Sequence, residues 1–280
     1  MYSFWYYIKN LWLKFIKDDA LFLASGIAFN VAITTIPLIL IIFSIAGFAF
    51  SSSAELWDNT VLYIQSLIPV SSESIINNTQ RWIKDRTWIG IIGLVGIAFT
   101  ATRLFASLRT VLDTVFEARH TRGIIHGKLF DFMMLMLLGI MMIVANMFII
   151  FLPRFFRENT LFNNTVFTLL KVFESQFVGI ILAFLLTVAL LFISYKFFPS
   201  KSMDNGTCLI ATLITAVVIE ITKHLYIYFL RMYPDFNRIY GTLGAIVAMI
   251  LWFYISSLVY VVAAEIAFIH EKRKSEPIYR

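Results

Sequence analysis

From Ala20 to Phe50 the sequence runs without an Asp, Glu, Lys or Arg, and it does so again from Ile239 to Ala264. A helix needs about 20 predominantly apolar residues to cross the hydrocarbon core of a bilayer. Either run is long enough, and a water-soluble domain has little use for two such segments. Composition agrees. The 280 residues are 60% hydrophobic and only 14% charged, with a mean hydropathy of +0.82. Soluble domains carry about 25% charged residues, so too few charges are present to clothe a water-facing surface. The single cysteine, Cys208, excludes an internal disulfide and any zinc-type Cys/His spacing.

Charge-poor runs give six expected spans: within Ala20–Phe50, from about Trp88 to Phe116, Phe132–Leu152, Ser175–Tyr195, Asn205–Leu230 and Ile239–Ala264. No strand alternation repeats along the chain, which argues against a barrel. The expected fold is an all-α integral membrane protein, one six-span domain over residues 1–280. Basic residues beside the spans set orientation. With the N-terminus cytoplasmic, 14 of the 23 Lys and Arg fall on the inner side and 8 on the outer, with Lys223 inside a span. Both termini are therefore expected in the cytoplasm of a bacterial inner membrane, residues 265–280 forming a cytoplasmic tail.

Residues 1–19 lack the small-residue cleavage site of a secretory signal. Trp5, Ile8, Trp12, Phe15 and Ile16 share one helical face, with Asn10, Lys14 and Lys17 opposite. Such a helix is expected to lie in the interface, aromatics down and lysines toward anionic headgroups, as an anchor for the first span or as a regulatory element. Residues 51–87 are too many for a simple turn. Trp57, Val61, Ile64 and Ile68 keep helical spacing up to Pro69, and Ser71–Glu73 reads as a second helix start. An extracytoplasmic cap of two amphipathic helices is expected, packed plainly or serving as a lid.

Ionisable residues within spans are costly, and they usually face a bundle interior or water and find partners. Glu220 and Lys223 sit three apart on one face of the fifth span, with Tyr226 three further on. They read as a self-neutralising structural pair or as the charged lining of a cavity. A second zone lies toward the cytoplasm: Arg103 and Arg109, with Asp113 four residues on, Asp131 opening the third span and Glu265 closing the sixth. These residues suit a salt-bridge network at an inner mouth. Arginines there could equally snorkel to lipid phosphates, and a guanidinium binds phosphate or carboxylate in bidentate fashion.

Pro37, deep in the first span, removes a helix hydrogen bond and predicts a kink or break. Asn30, Thr34 and Thr35 precede it and could line a polar groove. Gly90, Gly93 and Gly96, and Gly241, Gly244 and Ala248, form strips of small residues that suit close helix packing or, alternatively, hinges.

Catalytic chemistry has little support. The four histidines show no His-Glu-x-x-His or comparable ligand spacing, and no Gly-x-Ser-x-Gly elbow, phosphate loop or dinucleotide glycine motif is present. The formal charge of +6 is spread over loops as topology requires, without the aromatic-interleaved stripe of an RNA-binding surface.

The same passages resemble the YihY/virulence factor BrkB family of bacterial inner-membrane proteins over nearly the whole chain. Leu21–Leu40 is similar to the family's Ala-aromatic stretch ahead of Ser/Thr-x-x-Pro. Thr100–Gly123 resembles its Phe-x-x-Leu segment, with Asp113 where the family usually has Asn. Glu220–Phe229 resembles its Glu-x-x-Lys helix. Tyr240–Glu265 resembles its Tyr-Gly-x-Leu-Gly-Ala…Trp-x-Tyr…Gly-Ala-Glu signature, with Ala263 where Gly is frequent. The resemblance implies six spans. Members have also carried a ribonuclease label (ribonuclease BN) and a link to serum resistance, and relatives have been suspected of moving anionic amphiphiles.

The leading expectation is thus a transporter or flippase-like protein for an anionic amphiphile or lipid, not an enzyme, with no ATP hydrolysis and no cofactor or metal of its own. Its pathway candidates are Asn30, Pro37, Arg103, Arg109, Glu220, Lys223, Tyr226, Tyr240 and Glu265. Expected partners are membrane lipids, anionic ones included, and not nucleic acid; a homo-oligomer is compatible. The alternative is a non-transporting scaffold of the cell envelope.

Overall fold

The structure, a computed structural model, describes residues 2–52, 84–118, 127, 129–134, 136–137, 139, 176–201, 203–232 and 244–275. Long helices dominate them: α1 (Tyr2–Lys17), α2 (Ala20–Ser52), α3 (Arg86–Val115), α4 (Gln176–Phe197), α5 (Asn205–Met232) and α6 (Gly244–Ser275). A shorter helical stretch covers 129–134, and no strand occurs among the described residues. Among the described residues, four stretches are long and apolar enough to cross a membrane: Ala20–Phe48, Arg86–Val115, Asn205–Leu230 and Ile246–Lys274. They coincide with the first, second, fifth and sixth expected spans. The fourth expected span falls on α4, whose apolar described stretch is Phe184–Phe197. Most of the third lies outside the described residues, as do Tyr240 and the segment around Trp57–Glu73 expected to form an extracytoplasmic cap. At the edges of that segment α2 runs on to Ser52 and α3 starts at Arg86.

Local signals set the helix ends. Asp204 caps α5, its carbonyl accepting the amide of Cys208 at 3.1 Å. Between α1 and α2, Asp19 takes a left-handed conformation (φ 51°), which breaks one helix and starts the next. α3 closes in a Schellman turn: the amide of Ala118 donates to Asp113 O at 2.8 Å and that of Glu117 to Thr114 O at 3.2 Å. Glu117, with φ 50°, occupies the position where glycine is usual. Lys272, Arg273 and Lys274 in the last turn of α6 complement its dipole.

The chain divides into two compact units, Asn30–Leu104 and the remainder (Met1–Phe29 with Phe105–Arg280). In the smaller unit, α2 runs through Pro37 as one helix, so of the kink or break expected there a break does not occur. The hydroxyls of Thr34 and Thr35 donate to the carbonyls of Asn30 and Val31, four residues back, at 2.7 and 2.9 Å. They are thus engaged within the helix. The glycine strip of α3 is a packing strip. A Cβ at Gly96 would stand 2.9 Å from Pro37 Cβ, and one at Gly93 2.8 Å from Ile41 Cγ1 and 3.1 Å from Ile41 N. Next along the same seam, the Ser44 hydroxyl donates to the Arg86 carbonyl at 2.8 Å.

In the larger unit, α5 packs on both α4 and α6, and α1 packs on α6. The arrangement is inside-out relative to a soluble protein. On α5 the buried face carries Cys208, Ala211, Thr212, Thr215 and Ala216, while Leu209, Leu213, Val217, Ile221 and Leu225 are exposed. Small and hydroxylated residues let helices approach within lipid, where apolar side chains gain nothing by hiding.

Candidate functional site

Where α4, α5 and α6 meet, two stacked tyrosines form a fully buried polar centre. Tyr195 and Tyr260 lie with ring centroids 4.5 Å apart. The Tyr195 hydroxyl donates to Tyr260 O at 2.8 Å and shares a hydrogen bond of 2.7 Å with Thr215. Tyr260 in turn is hydrogen-bonded to Ser194. Sequence reasoning missed this cluster because each member looks ordinary among apolar neighbours; the spacing of Thr212 and Thr215 was its one visible signal.

Glu220 and Lys223 do form the expected pair, with Nζ 2.5 Å from Oε1. His224 Nε2 stands 3.6 Å from the same oxygen, a neighbour that the sequence reading left out. Both side chains remain about two-fifths exposed, so protein does not bury them. Tyr226 turns to α6: its hydroxyl donates to Ala248 O at 2.5 Å and its ring lies 5.3 Å from that of Trp252. The small residue Ala248 leaves that carbonyl within reach.

Of the charges expected together at an inner mouth, Arg109 and Asp113 have partners elsewhere in the protein. Arg109 is ion-paired with Asp131, donates to Gly127 O at 3.2 Å and lies over the Phe130 ring. Asp113, 1% exposed, accepts the amide of Ser200 at 2.6 Å and its hydroxyl at 2.7 Å. Arg103, in the other unit, is exposed and lies over Phe99. Glu265 is completely buried. Neither of its oxygens has a hydrogen-bond partner among the described residues, and the charges acting on it are those of Asp18 and Lys14. α6 runs on past Glu265 to Ser275, so this residue lies within the helix and does not close it.

α1 departs from expectation on its polar side. Trp5, Ile8, Trp12 and Ile16 are exposed, as an interfacial helix requires. Lys14, however, is buried against Asp18 at 2.7 Å and rests 4.4 Å over the Phe268 ring. Lys17 reaches Glu117 at 2.9 Å. Lys14 and Lys17 thus each hold an ion pair within the protein, and Lys17 remains largely exposed. Among the described residues no group of three or more His, Cys, Asp or Glu is placed to hold a metal.

Long apolar helices with small polar faces turned inward and aliphatic faces turned outward define a helical integral membrane protein. The family model described as virulence factor BrkB matches residues 11–278, and the chain belongs to that family. Similar curated proteins carry the name UPF0761 membrane protein. The one from Pseudoalteromonas atlantica is 23% identical over 92% of this chain and 85% of its own length. That from Cronobacter sakazakii is 21% identical over 93% and 86%. A protein of the same name from Chlorobium phaeobacteroides is 24% identical over 92% of this chain but only 55% of its own. No solved structure matches the chain.

Proposed function

We propose that this is a six-span bacterial inner-membrane protein with both termini cytoplasmic, which moves an anionic amphiphile or lipid without hydrolysing ATP. The observation that carries the reading is the Glu220–Lys223–His224 cluster, half uncovered by protein within the apolar stretch Asn205–Leu230. Charge held at that depth is expensive unless water or a polar ligand reaches it. Glu265, buried without a hydrogen-bond partner among the described residues, adds a second such group on α6. Asn30, Pro37, Arg103 and Arg109 are the further pathway candidates.

Flux of fluorescent anionic lipids across liposomes containing the purified protein tests this reading. Flux that Glu220→Gln abolishes is expected; none across a broad panel, with folded protein confirmed, overturns it. Topology is tested separately in cells carrying a replaced Cys208. Externally added maleimide should label a cysteine at Ser72 and spare one at Ser275.

A non-transporting scaffold of the envelope is the second reading. It is favoured by Asp113–Ser200 and Arg109–Asp131, polar groups paired within the protein, and it predicts no flux with an intact fold.

A further inference from the structure

A cavity of about 310 Å³ opens beside α1, lined by Tyr6, Asn10, Lys14, Lys17, Glu117 and Lys272 among others. Glu117 stands within a ring of ammonium groups. One oxygen, Oε1, lies 2.9 Å from Lys17 Nζ and 3.8 Å from Lys14 Nζ, and the charge of Lys272 also acts on this carboxylate. Lysines outnumber carboxylates in the lining. The α1 and α3 ends that border the cavity have closed their last turns, Asp18 N donating to Lys14 O at 2.8 Å and Ala118 N to Asp113 O. The carboxylate is delivered by a residue in the left-handed region, φ 50°, where a side chain is disfavoured and glycine is usual. A strained residue that brings a charge to a cavity points to a use for that charge.

We propose that this cavity is a phosphate-group site in which Glu117 is a resident, displaceable anion. Lys17 and Lys272 bind the incoming phosphate, and Glu117 releases Lys17 when it enters. The favoured source is the headgroup of an anionic phospholipid. Trp5 and Trp12, exposed on the other side of α1, are residues of the kind that settle at headgroup depth, which brings the cavity to the level of lipid phosphates. The site rests on the interfacial position of α1 in the reading above and does not require transport.

The test titrates phosphatidylglycerol into the full-length protein in detergent and counts retained lipid by native mass spectrometry. Phosphatidylcholine serves as a parallel ligand and inorganic phosphate as a competitor. Lys17→Met and Lys272→Met should each weaken phosphatidylglycerol retention about tenfold, the scale of one charge-assisted contact, and Glu117→Gln should strengthen it by a similar factor. Glu117→Gly, which suits the backbone, should strengthen it as well and guards against misfolding of the first variant. Competition by inorganic phosphate at concentrations comparable to the lipid supports the site and assigns it to a soluble phosphate. Equal retention in all variants, weaker retention in both Glu117 variants, or equal retention of phosphatidylcholine overturns it. In the wild-type protein, phosphatidylglycerol retained without any flux overturns transport alone, and flux without selective retention overturns this site alone.

Discussion

Asp113 and Ser200 meet twice: the carboxylate accepts both the backbone amide and the side-chain hydroxyl of the serine, at 2.6 and 2.7 Å. The pair ties the end of α3 to the turn after α4, at a carboxylate only 1% exposed. Removing the acceptor strands two partly buried donors, at up to about 1–3 kcal/mol. Asp113→Ala is therefore expected to lower thermal stability by that order, read as Tm of the purified protein. Asp113→Asn keeps one carbonyl oxygen for the amide and should retain most of it.

The glycine seam yields a second prediction. At Gly93 an added methyl would meet the backbone of Ile41 at 3.1 Å and the Pro37 carbonyl at 3.2 Å. Backbone cannot step aside as a flexible side chain can. Gly93→Ala should cost about 1–3 kcal/mol through overpacking, measured by thermal or denaturant unfolding in detergent. Gly139, where an added methyl would meet no atom of the described residues within 4 Å, is the control, and Gly139→Ala should leave Tm nearly unchanged.

Such contrasts show which parts of the molecule the sequence made legible. Charge-free runs announce spans because lipid offers charges no hydration, and i,i+3 spacing announces Glu220–Lys223 because both residues ride one helix. Contacts between distant segments left no such mark. Arg109 has Asp113 one turn away in sequence, yet its ion pair is with Asp131 on the next helical segment, while Asp113 serves Ser200. Lys17 and Glu117 are a hundred residues apart. Both end helices, and helix ends are where long polar side chains reach between elements. Amphipathic periodicity alone therefore could not announce the ion pairs of the α1 lysines.

Lys17 and Glu117 also give a pH prediction. The hydrogen bond from Lys17 holds the Glu117 carboxyl below its ordinary 4.5. The same bond, with the carboxylate's charge, raises the Lys17 ammonium above its ordinary 10.5. A lowered carboxyl stabilises above its unfolded value and loses that contribution as pH falls through the folded value. A raised ammonium stabilises below its unfolded value and loses it as pH rises through the folded one. The contact should thus be constant from about pH 4.5 to 10.5 and fade beyond either end. Both groups are substantially exposed, so the effect is small and salt-screened. Comparing Tm against pH for wild type and Glu117→Gln should show two curves that are parallel at neutral pH and converge in acid. Curves that stay parallel far below pH 4.5 would remove the coupling.

The Glu220–Lys223 pair separates transport from scaffolding. Were the pair sealed inside protein, losing one partner would leave an unpaired buried charge at about 3–5 kcal/mol. The side chains are about two-fifths exposed instead, and His224 is near enough to share the carboxylate. If water fills the space beside them, it screens whichever charge survives. Glu220→Gln and Lys223→Met should then each lower stability by no more than about 1 kcal/mol, while lipid flux falls sharply in both. The double variant restores neutrality but not the polar lining, so its flux should remain low. A structural pair facing lipid behaves oppositely: each single change destabilises, and the double change recovers most of the loss. Wild-type flux together with wild-type Tm in both single variants would take the pair out of the pathway altogether.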